Sequence, residues 1–147
     1  MHLLKHLLVT ALFMLPFTLH AADLSGLWQT TDDKTGKPRS LVRIVENAGE
    51  YSAIVEKGLL ATDTGDAVCD KCTDDRKGQK IIGMTIAKHL KKSNNGNVYD
   101  NGEILDPDNG KIYKCKMTLS ASGNELEVRG FIGISLLGRS QTWKRVE

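Results

Sequence analysis

Aromatic residues are scarce in this chain, at 5% of its 147 residues. That scarcity argues against a roomy cavity lined for a lipid chain. Charge of one sign is also lacking, because the formal net charge is only +2. A near-neutral balance excludes the concentrated basic surface on which nucleic-acid binding depends. Glycine-rich nucleotide-binding loops are absent. So are a Gly-x-Ser-x-Gly elbow for a nucleophilic serine and a second Cys-x-x-Cys for a structural zinc. No internal repeat, low-complexity tract or interdomain linker interrupts the chain.

The N-terminus carries a pattern of its own. A weakly basic opening from Met1 to His6 leads into an apolar stretch, Leu7 to Leu19, and then into Ala21, Ala22 and Asp23. A basic start, a short apolar middle and a small-residue end predict a secretory signal peptide over residues 1–22. Cleavage is expected after Ala21 or Ala22. The apolar run is shorter than the roughly 20 residues that span a bilayer as a helix. No cysteine stands near the cut to take a lipid. The expectation is a protein exported to the periplasm, without stable membrane insertion, whose domain occupies residues 23–147. That is a usual size for one independent core.

From Leu24 onward, short strand-forming runs alternate with turn signals. Trp28 to Thr31, Ser40 to Val45, Tyr51 to Val55, Val98 to Leu105, Ile112 to Leu119, Glu125 to Phe131 and Arg139 to Val146 read as strands. Clusters of Gly, Asn, Asp and Pro separate them. In Ile112 to Leu119, Tyr113, Cys115, Met117 and Leu119 share one face while Lys114, Lys116 and Thr118 share the other, so one face is buried and the other is wet. Short turns between successive strands favour an antiparallel meander. Closing it removes the exposed edges. The predicted fold is all-β, a single up-and-down antiparallel barrel of about eight strands. Gly58 to Gln79 reads as a long polar loop. Ile81 to Leu90 is ambiguous between strand and short helix and is read as strand.

Few residues carry candidate chemistry. Cys69 and Cys72 form a Cys-x-x-Cys pair in the long loop. In an exported protein a structural disulfide is the first expectation, with a redox role or a different pairing left open. Cys115 falls on the apolar face of its strand, as a small buried hydrophobe. Cys69, Cys72, Cys115 and His89 would supply four zinc ligands only if Cys115 left the core. Asp106-Pro107-Asp108-Asn109-Gly110 has a calcium-loop look, but its glycine and the missing late glutamate mark it as a tight turn. His89, beside Lys88 and Lys91, shows no orienting acid. Tyr99, Asp100, Glu103, Asp106, Arg129 and Arg139 are close enough in sequence to reopen an enzymatic reading if they converged in one cleft.

Several motifs in order resemble a known family. Gly26-Leu27-Trp28, Cys69-x-x-Cys72, the run Asn101 to Tyr113, Arg129 to Gly133, Leu137-Gly138-Arg139 and Gln141 to Arg145 together resemble the bacterial "domain of unknown function 2147" family over essentially all of residues 23–147. That resemblance implies an exported β-barrel and no set activity; Cys115 is not part of its pattern. Gly-x-Trp near the start also resembles the lipocalin-like barrels. There the tryptophan closes one barrel end beneath an arginine of the last strand. Trp28 is expected to stack under Arg145, or Arg139, as a structural closure.

The expected function is non-enzymatic: binding a small apolar or amphipathic ligand in the barrel mouth, which an eight-stranded barrel can enclose. Gly133 to Gly138 is expected to cover that mouth. The alternative is a module with a filled barrel that contacts an envelope protein or cell-wall component. No cofactor is expected.

Overall fold

The computed structural model describes residues 22–147; the predicted leader up to Ala21 lies outside the described residues. Eight strands follow in chain order: β1 (Gly26–Thr31), β2 (Pro38–Asn47), β3 (Glu50–Gly58), β4 (Thr85–Lys92), β5 (Val98–Asp106), β6 (Lys111–Leu119), β7 (Glu125–Phe131) and β8 (Gly138–Arg145). Each pairs antiparallel with its neighbour, and β8 closes on β1 through Trp28↔Arg145 and Gln29↔Lys144. No sheet edge is left open. Among the described residues no helix is long and apolar enough to cross a membrane.

The alternation in β6 builds the core as expected. Cys115, Met117 and Leu119 are buried, and Lys114 on the opposite face is exposed. Leu126 and Val128 of β7 point inward between Glu125 and Glu127. The interior is filled by Trp28, Val42, Ile44, Tyr51, Leu90, Tyr99, Met117, Leu126 and Trp143, all buried. Charged outer faces such as those of β6 and β7 lack the apolar band of a membrane-spanning barrel.

In an up-and-down barrel, alternate connections lie at the same end. The turns after β2, β4 and β6 form one end, together with the entry and exit of the chain. The connections after β1, β3, β5 and β7 form the other, the mouth. Bulges interrupt the ladders, including one between Tyr99 and Gly102 in β5, and give the extra bend that closure needs.

The stretch from Ile81 to Leu90 is a strand only from Thr85 onward. Ile81 to Met84 form a turn in which the Met84 amide donates to the Ile81 carbonyl at 3.1 Å. The long loop therefore runs over residues 59–84, beyond the predicted Gln79. It carries a Cys69–Cys72 disulfide, with both sulfur-bearing residues fully buried. Ala87 pairs with Ile104 on the inner face, so Ile86 and Leu105 turn outward. Both are nevertheless buried, in one cluster with Cys69, Cys72 and Met84. The loop thus adds a second apolar layer on the outside of β4 and β5.

Gly110, at the end of the β5–β6 turn, makes that docking possible. It has φ +72°, and a Cβ there would overlap the Lys71 carbonyl and crowd the Cys72 amide nitrogen. The Lys71 ammonium donates to the Asp108 carbonyl at 2.9 Å across the same contact.

Cys115 is the free cysteine, and it is buried. Burial pushes its thiol up to about 12, which removes the reactive thiolate at ordinary pH. An aromatic disulfide reagent at pH 8 is expected to find no reactive thiol in the folded protein. One should appear after denaturation, and three after denaturation with reduction. A fast-reacting thiol in the native state would contradict both the burial and the bridge.

Candidate functional site

Two ends of the barrel gather polar groups, with opposite character. At the closed end, Gly26 takes φ +136°, and a Cβ there would press on the Glu147 carbonyl and the Arg145 guanidinium. The glycine of Gly-x-Trp is therefore needed where the C-terminus crosses. The Leu27 amide donates to the Glu147 carbonyl at 2.9 Å, and the Val146 amide to the Leu27 carbonyl at 2.8 Å. Arg145 lies over the Trp28 ring, 4.2 Å from its centroid. It donates to the carbonyls of Gly123 (2.6 Å), Ser25 (2.7 Å) and Asp23 (2.6 Å). Trp28 Nε1 donates to the Leu24 carbonyl at 2.9 Å. Of the two arginines considered from sequence, Arg145 makes the stack, while Arg139 sits at the other end of the same strand.

The buried tyrosine pair lies next to this closure. Tyr51 and Tyr99 meet edge to face, with centroids 5.0 Å apart, and the Tyr51 hydroxyl donates to Asp23 Oδ2 at 3.3 Å. Burial, with the Asp23 charge, pushes the Tyr51 hydroxyl up to about 12. Burial raises Tyr99 as well, and among the described residues its hydroxyl meets no hydrogen-bond partner. Burial lowers Arg145, with Asp23 and Tyr99 opposing. The raised tyrosines stay neutral through neutral pH, and Arg145 stays charged in spite of its lowering, because a guanidinium is so strong a base.

The mouth has an ionic rim above a half-exposed floor. Arg39 of β2 reaches Asp32 at 3.1 Å and, across the opening, Asp108 of the β5–β6 turn at 2.8 Å. Arg139 of β8 reaches Asp33 at 2.9 Å and Asp106 of β5 at 3.9 Å. Strands β5 and β8 stand three places apart in the eight-stranded ring, so this pair bridges part of the mouth. Asp32 also accepts from the backbone and hydroxyl of Thr35 at 2.8 and 2.9 Å. Those bonds, with Arg39, hold its carboxyl below the ordinary range.

Beneath the straps, Gln141 donates to Asp33 at 2.6 Å and accepts from Trp143 Nε1 at 3.0 Å. The Tyr113 hydroxyl accepts from Asn109 at 3.0 Å. Ile104, Tyr113 and Gly130 share the inner face here, since a Cβ on Gly130 would lie 3.5 Å from Tyr113 and 3.6 Å from Ile104. All three are partly exposed. Below them the packed core begins. Two shallow hollows among the described residues lie elsewhere, on the outer surface. One is about 270 Å³, bounded by Arg43, Ile54, Glu56 and Ile82; the other is about 230 Å³, beside Arg76 and Lys88. Both fall below the usual 300–1,000 Å³ of a ligand pocket.

The remaining candidates are scattered. His89 does have an acid beside it, Glu50 at 2.8 Å, contrary to the expectation of none. The pair is exposed on the outer surface, whereas Cys115 is buried on the inner face of β6. Cys69 and Cys72 are bonded to each other, so the four-ligand zinc set does not assemble. Asp106 to Gly110 forms a turn, with the Gly110 amide donating to the Asp106 carbonyl at 2.8 Å. No cluster of metal-ligating side chains forms among the described residues. Of the six residues that might have formed a catalytic cleft, only Asp106 and Arg139 come together. Tyr99 is buried at the closed end, Glu103 pairs with Lys88 at 3.2 Å, and Arg129 holds the β7–β8 loop. In that loop Ile132, Ile134, Leu136 and Leu137 are exposed to solvent and do not pack on the floor.

The mouth residues Asp33, Arg39, Tyr113, Gly130 and Gln141 did not stand out in the sequence. The signal available was the period of two on β8, which aligns Arg139, Gln141, Trp143 and Arg145 along one inner face.

Comparison with known proteins bears on both fold and family. The solved structure described as "Protein HP1028 from the human pathogen Helicobacter pylori belongs to the lipocalin family" superimposes with a TM-score of 0.74. It is 21% identical, and the match covers 86% of this chain and 85% of that one. The barrel is therefore lipocalin-like in fold. No curated protein matches the chain. The family described as "Uncharacterized protein conserved in bacteria (DUF2147)" matches residues 26–145. That span runs from the glycine of Gly-x-Trp to the arginine stacked on that tryptophan, and the chain belongs to this family.

Proposed function

We propose that this is an exported, non-enzymatic binding protein of the bacterial periplasm, made with a leader over residues 1–22. Its mouth takes a small amphipathic molecule. The observation that carries this reading is the pairing of a partly exposed floor, Ile104, Tyr113 and Gly130, with a rim that offers guanidinium donors and carboxylate acceptors together. Apolar contact with a few directed polar groups is the usual composition of a small-molecule site. The filled interior confines the ligand to this upper layer. The lipocalin-like fold is in keeping with it.

Decanoate and decylamine, one with an acidic and one with a basic head, are suitable probes. Trp143 lies just beneath the floor through Gln141, so its fluorescence should report on occupancy. One of the two probes should give a saturable change at a single site. Removing a charge-assisted contact costs roughly 1.5–3 kcal/mol, so Arg139→Ala should weaken binding about tenfold or more. Tyr113→Ala should weaken it too, while Leu136→Asp, outside the mouth, should not. No saturable change with either probe up to millimolar concentration would end this reading.

The packed interior supports a second reading, an envelope interaction module that works through its outer surface. Cross-linking in the native envelope that recovers no partner would count against it.

A further inference from the structure

We propose that the β7–β8 loop is a lipid-docking finger that seats the barrel on the surface of an anionic bilayer. This goes beyond the mouth reading and rests on different residues. Ile132, Ile134, Leu136 and Leu137 are 68%, 60%, 85% and 72% exposed, four large aliphatic side chains in one short loop. Scattered exposed aliphatics need no explanation, but a contiguous group marks an interaction site.

The loop backbone discriminates between kinds of partner. Ordinary surface loops leave their carbonyls to water. Here four consecutive carbonyls are satisfied from within the protein. Gly133 accepts from the Lys114 ammonium at 3.5 Å, and Ile134 from the Leu137 amide at 3.0 Å. Ser135 accepts from Arg129 Nε at 2.6 Å, and Leu136 from the Arg129 guanidinium at 3.3 Å. In an apolar phase an unsatisfied backbone group is expensive. Internal pairing of these carbonyls lets the aliphatic tips enter such a phase without stripping water from the backbone.

Charge supplies the second argument. Register places Lys114 opposite Phe131 and Lys116 opposite Arg129, so Lys114, Lys116 and Arg129 form a basic column on the outer face directly behind the finger. Two acids flank it: Glu103, opposite Lys114, is engaged by Lys88, and Glu127 faces outward on β7 two residues before Arg129, which leaves the column net basic. Arg139, at the end of the loop, is engaged by Asp33 and Asp106. A basic band behind exposed aliphatic tips matches phosphate headgroups above acyl chains. The loop is too short to span, so docking is interfacial and reversible.

Flotation of the purified protein with vesicles tests this directly. Vesicles of phosphatidylglycerol and phosphatidylethanolamine should carry the protein up the gradient at low salt, and phosphatidylcholine vesicles should carry far less. The double variant Leu136→Asp/Leu137→Asp should lose association about tenfold or more. Arg129→Lys, which keeps the charge but loses the two-carbonyl clamp, should also weaken it. Far-ultraviolet circular dichroism and urea midpoints show that each variant is folded. Failure of the wild-type protein to float with anionic vesicles, or association indifferent to both loop variants, would overturn the proposal. So would sedimentation showing that the loop instead joins two copies of the chain, with the dimer lost in Leu136→Asp/Leu137→Asp. None of these results touches the decanoate and decylamine titration.

Discussion

Arg145→Ala is expected to destabilise the barrel by about 3–5 kcal/mol, a large share of the 5–15 kcal/mol typical of a domain. The residue stacks on buried Trp28. It also donates to three carbonyls from two separate segments: Asp23 and Ser25 ahead of β1, and Gly123 in the β6–β7 turn. Hydrogen bonds to a charged group contribute about 1.5–3 kcal/mol, and a desolvated cation–π contact about 2. These contributions overlap, which keeps the total below their sum. Equilibrium urea unfolding should show the midpoint falling by roughly 2 M, at a slope of about 1–3 kcal/mol per M. Arg145→Lys should recover little, because an ammonium cannot reach three divergent carbonyls. A loss below about 1 kcal/mol for Arg145→Ala would mean that water replaces the guanidinium freely, and that the end is closed by Trp28 alone.

Gly110→Ala should be the most damaging single-methyl change at the mouth end, costing about 2–4 kcal/mol. The backbone there is left-handed, and the new Cβ would overlap the Lys71 carbonyl. Relief requires the disulfide loop to lift from the β5–β6 turn, uncovering Ile86 and Leu105. Limited proteolysis should then cut within residues 59–84 faster than in the wild-type protein, and Cys69–Cys72 should become reducible by mild thiol. The bridge itself closes a very short loop, worth about 2 kcal/mol in chain entropy. The docking matters at least as much as the bond. Unchanged protease resistance in a folded variant would show that the loop shifts without lifting.

The strands were legible because β6 and β7 alternate cleanly, Tyr113 to Leu119 and Glu125 to Val128, and such alternation has one physical meaning. The closed end was legible as well, since Gly26, Trp28 and an arginine of the last strand are local signals. The sequence could not separate Arg145 from Arg139, because both fall on the same face of one strand and only the β1–β8 register distinguishes them. The mouth was hidden for a different reason. Asp32, Asp33, Asp106 and Asp108 look like ordinary turn residues, and the arginines that pair with Asp33 and Asp108 are remote in the chain. Arg39 and Asp108, for example, are 69 positions apart and meet only when the barrel closes. The alternation of connections could have placed these turns at one end, but not their contacts. Gly133 to Gly138 misled because an apolar run suggests burial. Arg129 satisfies its backbone while its side chains stay outside, and no local pattern announces that.

The crossing of chain entry and exit at the Gly26–Glu147 contact has a practical corollary. Asp23, whose carbonyl accepts from Arg145, and Glu147, whose carbonyl accepts from the Leu27 amide, both lie at the pole away from the ionic rim and the aliphatic finger. A tag, dye or surface attachment at either of them orients every molecule alike, with the rim and the finger facing the solution. Two tethers, one at each, would hold a single pole and leave the rim and the finger free to meet whatever approaches.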